Sequence, residues 1–521
     1  MWTWDYGTYL GEIPEAEETY NVVGNVNEYG LIIGESTFGG LIQLACNRKT
    51  GLMDYGSLIW VTLQRARNAR EAIQVMDNLV QTYGYASTGE SFSIADQNEL
   101  WIMELIGKGR HAKGAVWVAR RIPEGYVSGH ANQARITKFP LNDPENTIYS
   151  SDVISFARDI GLYTGNDEDF SFSDIYDPVN FDGARFCEAR VWSFFSTVMG
   201  KEWSDQYLDY ASGTNLKNRM PLWVKPNNKL SLADVMESMR NHYEGTSLDN
   251  TGTLFSDVGS GAFHNPNRNS PIVWSSTSFK GEQFFNERTI AQPPTGWSIV
   301  MQSRPNFPRQ MSSILWYGMD DSSTSVHFPI YGSATRVSKG WAGPGPQDGA
   351  TPPLMEFSLD SAFYVFNLVA NFAYSRWNAI YPDVHKEILA KESNYAKLLA
   401  NTDKHGKELF EKAQNEDDIQ EAIEYLTSFS TKLGDELLID WFKFFGKLFV
   451  KYRDGYVINK SDNNAACGCS VSNGAYPQSW YDRIVADTGD HYLVPNDSSK
   501  SRNSRHPEHR PVDKLKILAK R

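Results

Sequence analysis

Asn132 and Arg135 stand three residues apart in the segment Val127-Ser128-Gly129-His130-Ala131-Asn132-Gln133-Ala134-Arg135-Ile136, just after a run of predicted strands. An Asn amide aimed at a carbonyl can steady the oxyanion that forms in acyl transfer. An Arg can hold a carboxylate with two parallel hydrogen bonds. By itself the segment is weak, because Asn and Arg near a strand end more often serve as turn and surface residues. Its weight comes from the text around it.

The other residue types that could do chemistry are sparse. There are four cysteines, Cys46, Cys187, Cys467 and Cys469, too few for a disulfide framework. Cys467-Gly468-Cys469 has the wrong spacing for a zinc knuckle and reads as ordinary loop cysteines, with a redox pair as the rival. Cys46 follows a predicted strand and precedes a helix, where a thiolate can be activated, but no His lies near it in sequence. The 10 His residues form no metal signature. Ser91 in Gly89-Glu90-Ser91-Phe92-Ser93 does not complete a nucleophile elbow, since Ser93 occupies the last glycine position. No phosphate-cradling glycine loop is present, and no cofactor is called for. Arg185 and Arg190 lie on a predicted helix over 183–199. Five apart on an α-helix, they are expected to point in different directions, one to a cleft and one to solvent.

The elements that must position these residues follow from periodicity. Tyr20–Gly24 and Leu31–Ser36 read as strands of one hairpin, with Asn25–Gly30 as its turn. Two helices come next. Leu58, Ile59, Leu63 and Ala66 form the apolar stripe of the first, and Ala72, Ile73, Met76, Leu79 and Val80 that of the second. Asp54 suits the cap of the first, and Gly84 suits a helix stop. Strands are predicted at Ser91–Asp96, Leu100–Ile106 and Val116–Arg120. Strands linked by turns and followed by paired helices favour an antiparallel sheet with helices on its face, an α+β fold rather than a doubly wound one. Residues 271–330 look strand-rich, including Ser298–Gln302 and Ser313–Tyr317. Gly340–Pro353 is a Gly/Pro-rich break. Beyond it, Ala362–Trp377 is apolar and helical, and 384–452 holds two or more long charged amphipathic helices. The domain expectation is therefore a sandwich with insertions over 1–345, a helical segment over 346–460, a further segment over 461–497 and a basic, loosely ordered tail over 498–521.

Bulk properties narrow the function. The 521 residues are 41% hydrophobic and 13% aromatic, enough for a large core. A formal net charge of -13 argues against a nucleic-acid partner. No apolar run approaches the roughly 20 residues needed to span a bilayer. Met1-Trp2-Thr3-Trp4-Asp5-Tyr6 has neither the basic start nor the apolar stretch of a secretion signal. The 15 Trp and 26 Tyr suit aromatic-lined clefts or an extracytoplasmic setting.

Several segments together resemble the cysteine dipeptidase family that includes dipeptidase A and the secernins. They are Asn21–Leu31, Gly34-Glu35-Ser36-Thr37-Phe38-Gly39-Gly40, Met53-Asp54-Tyr55-Gly56-Ser57-Leu58, Glu90–Asp96, Trp101-Ile102-Met103-Glu104, Ser128–Ile136 and Arg190-Val191-Trp192. The likeness runs from about residue 5 to residue 495 and is densest over 20–136. It implies an N-terminal nucleophile hydrolase with a four-layer α-β-β-α sandwich of antiparallel sheets. A leading Cys would supply both the attacking thiolate and, through its free α-amine, the base. The substrate would be a dipeptide or short peptide. Asn-Glu-Tyr-Gly-Leu also resembles a strand of bile-salt hydrolases and penicillin V acylases, a sister family, where a polar residue near the oxyanion follows. The matching place is Ser36 or Thr37. The resemblance implies that Asn132 lines the oxyanion site and that Arg190, with Arg185 as the alternative, lies near the nucleophile. Arg135 is a second choice for holding substrate.

One departure stands out. In the family the nucleophile precedes the Asn-Glu-x-Gly-Leu strand by many tens of residues, whereas Met1-Trp2-Thr3-Trp4-Asp5 matches text well inside the mature enzyme. Cys46 is internal, so its backbone nitrogen cannot act as a base. The expectation is an N-terminally incomplete sandwich, with the thiol and any leader lost from the recorded text. A secreted or periplasmic home follows if that leader is a signal peptide, and a cytoplasmic one otherwise. A pseudoenzyme and a recruited second thiol are the alternatives. The rival functions are an amidase or acylase acting on non-peptide amides and a non-catalytic secernin-like role. Homo-oligomerisation is left open.

Overall fold

The structure is a computed structural model that describes residues 1–3, 7–45, 47, 49–249, 266, 281–285, 287–342, 356–461, 468–473 and 478–493. Cys46, Cys467, the strand-rich reading over 271–280, most of the Gly340–Pro353 break and the tail over 498–521 lie outside the described residues.

Seven strands form one antiparallel sheet in the order β1-β2-β3-β4-β5-β6-β7. They are β1 (Val22–Val23), β2 (Val26–Asn27), β3 (Ile32–Gly39), β4 (Gly89–Ala95), β5 (Leu100–Gly107), β6 (Ala115–Arg121) and β7 (Thr147–Tyr149). The single hairpin expected over 20–36 is in fact divided. Val22 pairs with Asn27 around a turn at Gly24–Asn25, and β2 meets β3 only at Val26–Ile32. Asn27 makes this possible. Its Nδ2 donates to the Leu63 and Ala66 carbonyls, both at 2.8 Å, and its Oδ1 accepts from the Tyr29 and Leu31 N–H groups. The side chain thus bonds backbone that would otherwise have continued a simple hairpin.

Helices α1 (Tyr55–Leu63) and α2 (Ala69–Tyr83) cover one face of the sheet. Asp54 caps α1 by accepting from Ser57 N–H at 2.8 Å, and Asn68 caps α2 through Glu71 N–H at 3.0 Å. Gly84 ends α2 at φ 76°, its N–H donating to Val80 O. The predicted stripe of α2 is buried throughout. Each of its large aliphatic side chains contributes roughly 1.5–3 kcal/mol of transfer free energy. The stripe meets Ile33, Phe92, Ile94, Met103 and Leu105 from the strands.

Residues 297–452 build the other half. Strands β8 (Trp297–Ser303), β9 (Ser313–Met319) and β10 (Phe328–Tyr331) form a second antiparallel sheet. Helices α6 (Ala362–Ser375), α7 (Trp377–Lys412) and α8 (Glu416–Tyr452) share one core with it, and Val23 and Val26 join from the first sheet. Met301 of β8 approaches Gly34 of β3, so the two sheets touch there. The architecture is mixed α and β with antiparallel sheets, helices outside both, and a helical C-terminal part. Between the halves the chain forms α3 (Val153–Asp159), α4 (Ala189–Met199) and α5 (Leu232–Ser238). Among the described residues no helix is long and apolar enough to cross a membrane.

Candidate functional site

Alternation along β3 divides its side chains between two faces. Ile33 lies in the core under α1 and α2, and Glu35 and Thr37 share its parity. Phe38 lies in the core on the opposite face, with Gly34 and Ser36 on the same side. Register sets Ser36 beside Ser91, and Gly34 beside Ser93, on that second face. The segment Gly129–Ile136 crosses over it.

His130 lands between the two serines. Its Nδ1 is 2.6 Å from Ser36 Oγ, and its Nε2 is 2.7 Å from Ser93 Oγ. Ser36 Oγ also donates its one hydrogen to Ala131 O at 2.6 Å. It must therefore accept from Nδ1–H, which leaves Nε2 to accept from Ser93. The result is a directional chain, Ser93 to His130 to Ser36 to the Ala131 carbonyl, that ties the segment to β3 and β4. Removal of the ring from water, and secondarily the nearby Arg135 charge, push the imidazole pKa down to about 4. The unfolded chain thus takes up a proton near pH 6.5 that the native state refuses until about pH 4, so stability is lost as pH falls through that window. Urea unfolding at pH 7 and pH 5 is expected to show wild type losing about 2 kcal/mol more than His130→Gln. Equal losses would dismiss the neutral relay.

Asn132 follows directly. Its Nδ2 donates to the Thr37 carbonyl, and its Oδ1 accepts from Arg190 Nη2 at 2.8 Å. Ile33 N–H and C=O both bond Asn25, on the edge of β3 away from β4. Thr37 has the same parity, so Asn132 reaches β3 from its outer edge. The second N–H of Nδ2 has no acceptor among the described residues. Both ends of the amide are thus fixed while one donor stays available, as stabilisation of a developing oxyanion requires. On the other face of the same strand, Thr37 Oγ1 donates to Glu35 Oε1 at 3.1 Å. Glu35 neighbours Glu90, a fully buried carboxyl raised to about 10, first by burial and then by Glu35, so Glu90 keeps its proton.

Arg190 is anchored by Nε donating to Phe186 O at 2.9 Å. Burial, and then the charge of Arg288, lower its pKa. The neighbouring Cys187 thiol is buried. Desolvation raises its pKa against the opposing pull of Arg190. The expectation that Arg185 and Arg190 face different ways does not hold. Residues Gly183–Glu188 form a π-helical turn that runs directly into α4. An i→i+5 turn brings residues five apart towards the same side. Arg185 is buried, paired with Glu287 and lying 5.3 Å from the Phe285 ring centre, and both guanidinium groups act on Tyr243.

Arg135 is committed elsewhere. Its Nε meets Glu188 Oε1 at 2.9 Å, and both side chains are 1% exposed. Its other donors reach Gly129 O, Leu222 O and Pro221 O at 2.8, 3.0 and 2.9 Å. The backbone around it is gripped by two carboxyl groups that sequence reasoning missed. Glu104 accepts from Arg135 and Ile136 N–H at 2.5 and 2.9 Å, and Asp177 accepts from Ala134 N–H at 2.8 Å. Burial pushes each up to about 7, against the pull of those N–H donors. A charged residue inside the apolar strand Leu100-Trp101-Ile102-Met103-Glu104-Leu105 was the available signal for Glu104; nothing marks Asp177.

Cys187 is a free thiol among the described residues. Cys469, read from sequence as a loop cysteine, begins the strand Cys469–Asn473 and is disulfide-bonded. A cleft of about 580 Å³ between α4, α5 and the start of α7 is lined by Phe194, Glu237, Asn241, Tyr381 and His385, among others. None of Ser36, Thr37, Asn132, Arg135, Arg185 and Arg190 lines it.

The chain is similar to a probable dipeptidase of Salmonella dublin, 27% identical over 307 residues that make up 58% of this chain and 60% of that protein. A probable dipeptidase of Latilactobacillus sakei is 26% identical over 55% of this chain and 51% of its own length. Dipeptidase A of Lactobacillus helveticus is 22% identical over 67% and 63%. The chain thus spans about half to three-fifths of the length of these curated relatives. Residues 3–389, which include every strand of both large sheets and each site residue above, match peptidase family C69, and the chain belongs to that family.

Proposed function

We propose that this chain carries the substrate site of a dipeptidase that cleaves through a thiol acyl-enzyme. The observation that carries the reading is the Asn132 amide, clamped between Thr37 O and Arg190 with one donor left over. The relatives' names give the substrate class. Asn132 donates to the oxyanion. Arg190 holds the amide in line and, with Arg288 close by, supplies positive charge for a substrate carboxylate. Ser36 and Thr37 act through the bonds that fix the Ala131–Asn132 segment. Arg185 is balanced by Glu287, and Arg135 shapes the segment's backbone rather than touching substrate.

The thiol is a cysteine other than Cys187, whose burial keeps it protonated. By the family resemblance it heads the mature enzyme. A strand bringing it would lie along the outer edge of β3, which β2 pairs only at Ile32. The thiolate attacks the peptide carbonyl, the α-amine of the same residue delivers a proton to the leaving amine, and water then cleaves the thioester.

A panel of dipeptides and N-acyl amino acids tests the reading on the full-length protein. Cleavage of dipeptides that is lost on alkylating the leading thiol is expected. Preference for the N-acyl conjugates, or no hydrolysis of either set, would overturn it.

A further inference from the structure

The last four turns of α8 carry two opposed faces. Leu437, Trp441, Phe444, Leu448 and Tyr452 are buried in the shared core. Opposite them, Ile439, Phe442, Phe449 and Val450 are exposed, Ile439 at 57% and Val450 at 59%. Contiguous exposed apolar surface of this kind marks an interaction site more often than scattered single residues do.

Two further observations say what covers it. The first is Gly446, in the middle of the stripe. Glycine is disfavoured in a helix interior unless something needs the space. Among the described residues nothing does, because a Cβ at Gly446 would meet no atom within 4 Å. The second is symmetry in the sequence. Residues 439, 442, 446 and 449 are spaced three, four and three, a pattern that reads the same in both directions about position 444. Charge reverses about nearly the same point. Glu436 and Asp440 precede it, Lys447 and Lys451 follow, and Lys443 lies beside it. In an antiparallel pair of such helices Asp440 comes opposite Lys447, Glu436 comes opposite Lys451, and Phe442 comes opposite Gly446. A two-fold interface is self-complementary in this way, since each contact occurs twice with the partners exchanged.

We propose that this face of α8 pairs with the same face of a second copy of the chain, antiparallel, across a two-fold axis at the level of Lys443 and Phe444. Each Phe442 ring fills the space left by the other copy's Gly446. Asp440 and Lys451 also bond within their own chain, to Lys391 at 3.1 Å and Asp383 at 2.6 Å, which pre-orients both for the pairing.

Sedimentation equilibrium of the full chain is expected to show a reversible dimer. Gly446→Leu separates association from folding, because leucine is the better helix former and its Cβ meets nothing among the described residues. It is expected to raise the thermal midpoint of the monomer while raising the dimer dissociation constant at least ~10-fold. Lys447→Asp is expected to weaken the dimer, and Asp440→Lys in the same chain to restore it. A monomer at every concentration, a dimer indifferent to Gly446→Leu, or a monomer that instead binds vesicles of anionic phospholipid would each overturn the proposal.

Discussion

Replacing Asn132 with alanine is expected to lower kcat about 10²–10³-fold and leave KM within a few-fold, as for loss of one oxyanion donor elsewhere. Asn132 meets three demands at once. Its carbonyl end is held by Arg190 at 2.8 Å, one of its N–H groups is held by Thr37 O, and the remaining N–H is free of any described partner. A donor already oriented needs no reorganisation as negative charge grows on the substrate oxygen, which confines its contribution to the transition state. Asn132→Asp is expected to be at least as damaging, because it sets a carboxylate where the oxyanion forms. Steady-state kinetics on a dipeptide read both variants. An alanine enzyme that lost affinity instead of turnover would assign the amide to ground-state binding.

Glu188→Ala is expected to cost about 3–5 kcal/mol of unfolding free energy in urea titrations, far more than a surface ion pair would. Both charges of the Arg135–Glu188 pair are out of water, so removing one strands the other. Arg135 would keep its three carbonyl acceptors, but these are dipoles and do not neutralise a buried guanidinium. Replacing both partners with leucine and methionine is expected to recover most of the loss, since the penalty belongs to the orphaned charge. If the double replacement were as unstable as Glu188→Ala, packing rather than charge would be the cause. Activity should fall with Glu188→Ala as well, because the same guanidinium ties Gly129 to the turn at Pro221 and Leu222 and so sets the path on which Asn132 sits.

Much of the fold could be read from period and punctuation. Helix α2 has an Asn cap, a full apolar stripe and a glycine stop, and its limits fall where those marks put them. Strands β5 and β6 are near-continuous apolar runs and β4 alternates Ser with Phe and Ile, each over seven or eight residues and so long enough for its pattern to show. Strands of two residues have no period, which is why β1 and β2 were merged into a larger hairpin. The site was legible in a different way. Nothing in the spacing of Asn132 and Arg190, 58 residues apart, says that they touch. Family likeness singles out each of them separately, and their contact comes from the fold. Arg135 illustrates the limit of residue type. An Arg in that segment suits carboxylate binding, and it does bind one, but the carboxylate is Glu188. His130 was passed over because a lone histidine among serines carries no signature until β3 and β4 bring Ser36 and Ser93 to its two nitrogens.

The π-helical turn at Gly183–Glu188 amounts to one surplus residue inside an otherwise ordinary helix. The same residues wound as a regular α-helix would take up an easier backbone conformation. Arg185 and Arg190, five apart, would then diverge around the cylinder by roughly 140°, and only one could stay beside Tyr243. The strained register is therefore the means by which a helix, normally a poor device for clustering like charges, keeps two guanidinium groups facing a single small region.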